Sequence, residues 1–151
     1  MTTNENPFFT PSTLDLQFPR FDLIRNEHYL PAFERGVAEQ LAEVSEIVNQ
    51  TAAPNFANTI IPYETSGQML NRMLIVFYAM SSAHTNEDIQ SIEAEIAPRL
   101  AAHNDQILLN ETLFGRVKAI HDQKENMGLD AESLRLVEET YKDFVHAGAQ
   151  L

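Results

Sequence analysis

The sequence predicts an all-α protein, a bundle of about five helices preceded by an extended N-terminal arm. Three observations carry that prediction. Apolar residues recur at three- and four-residue intervals over long stretches. No long alternating run bounded by turn residues appears, so no strand stands out. Asn, Asp, Gly and Pro fall between the periodic stretches, where helices start and stop.

The arm comprises residues 1–25 and holds three of the seven prolines. A residue before proline avoids the α region, so Asn6-Pro7 and Phe18-Pro19 read as extended. Phe8, Phe9, Phe18 and Phe21 are expected to dock the arm at least in part, because four exposed phenylalanines would form a costly apolar patch. Residues 26–151 are expected to form one helical domain. A first helix begins near Asn26 or His28 and runs to about Asn49, with Leu30, Phe33, Val37, Leu41, Val44 and Val48 as its apolar stripe. Pro31 fits only in its first turn, where the missing N–H has no partner to lose.

The second helix is predicted to be central. Asn58 or Thr59 caps it, Pro62 sits near its start, and Gly67 within it permits a close crossing. The run from Leu70 to Met80 carries one charge, Arg72, and is apolar nearly all round, as a helix in the middle of a bundle would be. It is too short for a membrane span, which needs roughly 20 apolar residues. Thr85-Asn86-Glu87-Asp88 approximates a capping box for the third helix. Its stripe is Ile89, Ile92, Ile96, Leu100, His103 and Ile107, and Pro98 is expected to kink or divide it. Asn110 caps a fourth helix (Leu113, Phe114, Val117, Ile120, His121), which Gly128 ends. Asp130 caps a fifth (Leu134, Val137, Tyr141, Phe144, Val145), which ends at Gly148.

The chemistry is sparse. Ten basic against 22 acidic residues give a formal charge of -12, which argues against nucleic acid as a partner. There is no cysteine, hence no thiolate metal site or disulfide. The first residues lack the basic and apolar regions of a signal peptide, so a cytoplasmic location is expected. His28, His84, His103, His121 and His146 include no pair at the spacing that places two ligands on one helix face, and H-E-x-x-H is absent. His103 lies on an apolar stripe and reads as a core residue; His84 reads as a favourable charge at a helix C-terminus. Glu64 reads as a dipole partner rather than a catalytic base. Glu93 with Glu95, and Glu138 with Glu139, do not share a face and read as solvated. Met69, Met73 and Met80 read as core filling. No catalytic, cofactor-binding or metal-ligating residue is assigned, and no cofactor is expected in this chain.

Several stretches, in order, carry a family likeness: N-P-F at 6–8, F-D-x-I-x-N-E-H-Y-x-P-A-F at 21–33, F-A-N-T-I at 56–60 and S-G-x-x-L-N-R at 66–72. V-F-Y-A-M-S-S-A-H-T-N follows at 76–86, then L-N-E-T-L-F-G-R-V at 109–117, G-L-D-A-E-S-L-R-L-V-E at 128–138 and F-V-H-A-G-A at 144–149. Together they resemble the N-terminal region of the thimet oligopeptidase-like zinc metallopeptidases, most closely the bacterial peptidyl-dipeptidase (dipeptidyl carboxypeptidase) branch. The resemblance implies a much longer helical parent in which two lobes flank a channel. There, zinc is held by the two histidines of H-E-x-x-H and a downstream glutamate, and the glutamate within the motif activates the bound water. Peptidyl-dipeptidase members release dipeptides from the C-terminus of short peptides, and their N-terminal helices are thought to roof the channel. The metal-binding portion does not occur in these 151 residues.

The resemblance therefore implies a non-catalytic N-terminal domain. It is expected to be inactive alone, with the C-terminal catalytic lobe of the same parent as its partner and short peptides reached through the parent channel. The boundary just past Gly148 fits an excised domain or a truncated reading frame. The alternative is a free-standing helical interaction module. A homodimer of the isolated chain is also plausible, through apolar surface that the other lobe would cover.

Overall fold

A computed structural model describes residues 5–150. These residues are all-α and contain no strand. The helices are α1 (Tyr29–Val48), α2 (Ile61–Glu64), α3 (Gln68–Ala83), α4 (Glu87–Leu108), α5 (Glu111–Gln123) and α6 (Ala131–His146). Single 3-10 turns lie at Asp15–Gln17, Asn26–His28 and Lys124–Asn126, and a π-helical turn at Phe56–Ile60 leads into α2. No helix among the described residues is long and apolar enough to cross a membrane. The chain divides into two compact units that share the two longest helices. The first runs to Gln40 and resumes over Gly67–Leu100; the second comprises Leu41–Ser66 and everything from Ala101.

The first unit is built on Tyr29, Phe33, Met73, Phe77 and Ile96, each at most 2% exposed. Tyr29 meets the Phe77 ring edge-on, with centroids 5.0 Å apart. The buried face of α1 is phased slightly differently from the expected stripe. Tyr29, Ala32, Phe33, Gly36, Val44 and Ile47 are buried, while Leu30, Val37, Leu41 and Val48 flank them half-buried. The shift centres Gly36, and its role displaces the one expected for Gly67. A Cβ on Gly36 would lie 2.8 Å from the Leu70 Cα, so this glycine is where α1 and α3 approach closely. Gly67 instead takes φ +69, the left-handed conformation open to glycine, immediately before α3. The predicted single second helix is therefore two: α2 stops at Glu64, and the chain turns through residues 65–67 before α3 begins.

α3 also departs from its predicted central place. Met69, Leu70, Met73, Val76 and Phe77 are buried, but Ile75 is 61% and Tyr78 38% exposed. One face meets the core and the opposite face carries apolar side chains in the open.

The second unit packs Ile47, Ile60, Leu113, Val117, Ile120, Val137 and Phe144 into a separate core. Phe114 stacks between Tyr141 and Phe144 at 5.9 and 6.1 Å. Its helices start as their caps direct. Asn110 Oδ1 accepts the Leu113 N–H at 2.9 Å, and Asp130 Oδ1 accepts the Ser133 N–H at 2.8 Å. Gly128 and Gly148 follow α5 and α6 with φ +65 and +97. Two expected caps move by a few residues. Asn55, not Asn58 or Thr59, opens the Phe56–Ile60 turn, exchanging side-chain and backbone hydrogen bonds with Asn58 at 2.8 and 2.9 Å. At α4 the cap is Asn86, whose Oδ1 accepts the Ile89 N–H at 3.0 Å, rather than Thr85. α4 continues through Pro98 as one helix.

Candidate functional site

The arm is fastened at its beginning and exposed further on. Asn6 is buried; its Nδ2 donates to the His28 carbonyl at 2.7 Å, and its Oδ1 accepts the Phe8 N–H at 3.1 Å. That turn places Phe8, 4% exposed, against Tyr29 with centroids 5.6 Å apart. Phe9 is half-buried beneath the Arg35 guanidinium, 4.4 Å from the ring centroid. Docking by Phe8 and Phe9 is as expected. Phe18 and Phe21 differ: they lie 5.8 Å apart, edge to face, and are 61% and 42% exposed, so they pack on each other rather than on the core.

Between the arm and α3 lies a cavity of about 280 Å³. Phe8, Leu16, Pro19, Ile24, Ile75 and Val76 form its apolar wall, with Thr10, Ser12 and Gln17 adding polar atoms. Two arginines line it and no acidic residue does. Arg20 is engaged by Asp22 through two hydrogen bonds at 2.8 and 2.7 Å, which hold the Asp22 carboxyl below the usual carboxylate range. Arg72 donates from Nη2 to the Phe8 carbonyl at 3.3 Å, while its buried Nε has no hydrogen-bond acceptor among the described residues. Leu16 and Gln17 both take φ +55. This region is sparsely populated by residues with a Cβ and costs on the order of 1–3 kcal/mol per residue. It leaves Leu16 fully exposed at the cavity margin. The arrangement suits the binding of apolar groups. It offers no carboxylate or imidazole for proton transfer.

The second unit holds a buried cation. Arg116 is 8% exposed and donates from Nε to Thr59 Oγ1 at 3.2 Å, from Nη1 to the Gln50 and Ala52 carbonyls at 3.3 and 3.2 Å, and from Nη2 to Asn58 Oδ1 at 3.2 Å. It ties the loop after α1 and the π-helical turn to α5. Sequence reasoning missed it, although a signal was present: Arg116 lies three residues from Leu113 and four from Ile120, on the apolar stripe of α5.

The histidines are scattered. His28 is buried and accepts the Arg25 N–H at Nδ1, 3.0 Å away. His84 follows α3 and His146 ends α6, both exposed. His103 is 3% exposed, and burial lowers its pKa from the ordinary imidazole value. His121 stacks on Tyr141 at 3.9 Å, with Lys124 Nζ 3.3 Å from Nε2. Among the described residues no group of three or more His, Asp or Glu is placed to hold a metal ion.

Of the carboxylates singled out by sequence, Glu95 and Glu139 are exposed as expected, whereas Glu93 and Glu138 are half-buried. Glu93 accepts the Ser81 hydroxyl at 2.6 Å, Glu95 pairs with Arg99 at 3.0 Å, Glu138 with Lys124 at 3.6 Å and Glu139 with Lys142 at 2.8 Å. Glu64 is exposed at the end of the four-residue α2, not at the start of a long apolar helix. Met69 and Met73 are buried and Met80 is half-buried in the first core.

No family model matches the chain. It is 47% identical over 146 residues to the dipeptidyl carboxypeptidase of Salmonella typhimurium, a match covering 97% of this chain and 22% of that protein. It is 44% identical over 149 residues to the dipeptidyl carboxypeptidase of Escherichia coli, covering 99% and 22%. The likeness to oligopeptidase A of Salmonella typhimurium is more distant, 22% identity over 97% of the chain. The chain thus spans about a fifth of the length of the relatives it matches.

Proposed function

We propose, taking as premise that the chain is related along nearly its whole length to the dipeptidyl carboxypeptidases, that it is a non-catalytic, N-terminal helical part of a zinc-dependent peptidyl-dipeptidase. In this reading the longer protein removes dipeptides from the C-terminus of short peptides. These helices restrict access to the active-site channel, and the remainder of the polypeptide supplies zinc and the catalytic residues. The observation that carries the reading is identity of 44–47% along 97–99% of the chain combined with coverage of only 22% of each relative. Such identity over a segment of this length supports a shared fold and a shared place in a longer molecule. The chemistry among the described residues, apolar surface, structural hydrogen bonds and surface ion pairs, supports a passive role.

The test is to read the gene beyond the codon for Leu151 and to assay its full product. The reading expects a frame running several hundred codons further through H-E-x-x-H. It also expects a product that releases dipeptides and loses that activity on chelation. A stop codon at 152, or a long product without dipeptide release, would overturn it and favour a free-standing helical module.

A further inference from the structure

We infer that the outer face of the first unit, Leu14 to Leu23 of the arm with Ile75 and Tyr78 of α3, is the surface on which the rest of the longer polypeptide packs. This rests on the function proposed above and names the partner's chemistry: an apolar surface that receives Leu16 and carries an acceptor oxygen opposite Arg72.

Three observations converge on one face. Among the described residues of the first unit, seven large apolar ones are substantially exposed, Leu14, Leu16, Phe18, Phe21, Leu23, Ile75 and Tyr78, and these lie on the arm or the outward side of α3. Leu16 and Ile75 line a single cavity, so the arm and α3 meet on this side of the unit. Apolar exposure concentrated on these two elements marks a surface that meets another protein. The backbone also works to display it. Leu16 is fully exposed and held in the left-handed region, a conformation that gains the chain nothing unless the side chain is received elsewhere. Finally, Arg20 at this cavity is neutralised by Asp22, whereas Arg72 bonds a neutral acceptor, the Phe8 carbonyl, which favours a partner bearing a carboxylate or carbonyl opposite Arg72. The length of the relatives supplies the occupant, since about four fifths of each lies outside the matched segment.

Hydroxyl-radical footprinting of the 151-residue chain and of the full gene product tests this. Oxidation of Leu16, Phe18, Ile75 and Tyr78 is expected to fall at least about fivefold in the longer protein, because an interface core packs as densely as a protein interior. Leu16→Asp with Ile75→Asp is expected to leave the melting temperature of the 151-residue chain unchanged and to lower that of the longer protein. Undiminished oxidation in a longer protein that releases dipeptides overturns this inference and leaves the proposed function standing. Protection in a longer protein without dipeptide release does the reverse. Protection of the 151-residue chain itself, either rising with its concentration or induced by added short peptides, assigns the face to a second copy or to substrate and also overturns the inference.

Discussion

Arg116 and His103 set the polar terms of the second core. The guanidinium of Arg116 is buried with no carboxylate among its hydrogen-bond partners and is balanced by two carbonyls, a hydroxyl and an amide oxygen. Arg116→Met keeps the aliphatic stem but deprives four acceptors of their donor, Thr59 Oγ1 among them fully buried. Chemical denaturation is expected to show a loss of about 2–4 kcal/mol. His103 is buried and held neutral, its pKa below the ordinary value. Its folded-state pKa is depressed while the unfolded one lies near about 6.5, so the unfolded chain binds the extra proton first. Its contribution is therefore complete above about pH 6.5 and declines as pH falls below that value. Urea midpoints at about pH 7.5 and 5.5 are expected to drop on acidification in the natural chain and to drop less in His103→Leu. In the first core Phe77 is fully buried between Tyr29 and Tyr78, and Phe77→Ala is expected to cost on the order of 3–5 kcal/mol by the same measurement. A loss below about 1 kcal/mol would mean that the site does not carry the packing it displays.

Among the helices, glycine separates what is local from what is tertiary. Gly36→Ala drives a methyl into the Leu70 backbone and is expected to destabilise by about 1–3 kcal/mol. Gly115→Ala, on α5 with nothing within 4 Å, is expected to stabilise by roughly 0.5–1 kcal/mol through helix propensity. Opposite signs in thermal unfolding check the assignment of the crossing. The same contrast explains what the sequence made legible. The caps at Asn110 and Asp130 and the stops at Gly128 and Gly148 depend on neighbouring residues, and all four were readable. The break at residues 65–67 was not, because Gly67 serves equally as a small helical residue or a left-handed one, and only tertiary packing chooses. The phase of α1 slipped because residues 29, 36 and 47 are a weak, a non-apolar and an alternative choice on a helix with two apolar edges. α3 looked central because apolar residues surround it, but apolar side chains facing out are indistinguishable in sequence from those facing in.

At the scale of the molecule, the two compact units were hidden for a related reason: two of the three crossings between them lie within α1 and α4, where nothing in the sequence marks a boundary, and the third falls in the 65–67 turn that was read as part of a helix. The candidate site was legible only in outline. The family motifs spoke for a non-catalytic segment, whereas the exposed face of arm and α3 and the buried Arg116 emerged only with the fold. The central claim is that this segment belongs to a peptidase without containing its machinery. The most direct measurement is dipeptide release from an unblocked short peptide by the purified 151-residue chain, with zinc added and with zinc removed, beside the full gene product. The account predicts no release by the chain under either condition and chelator-sensitive release by the longer protein; zinc-dependent release by the 151 residues alone would contradict it.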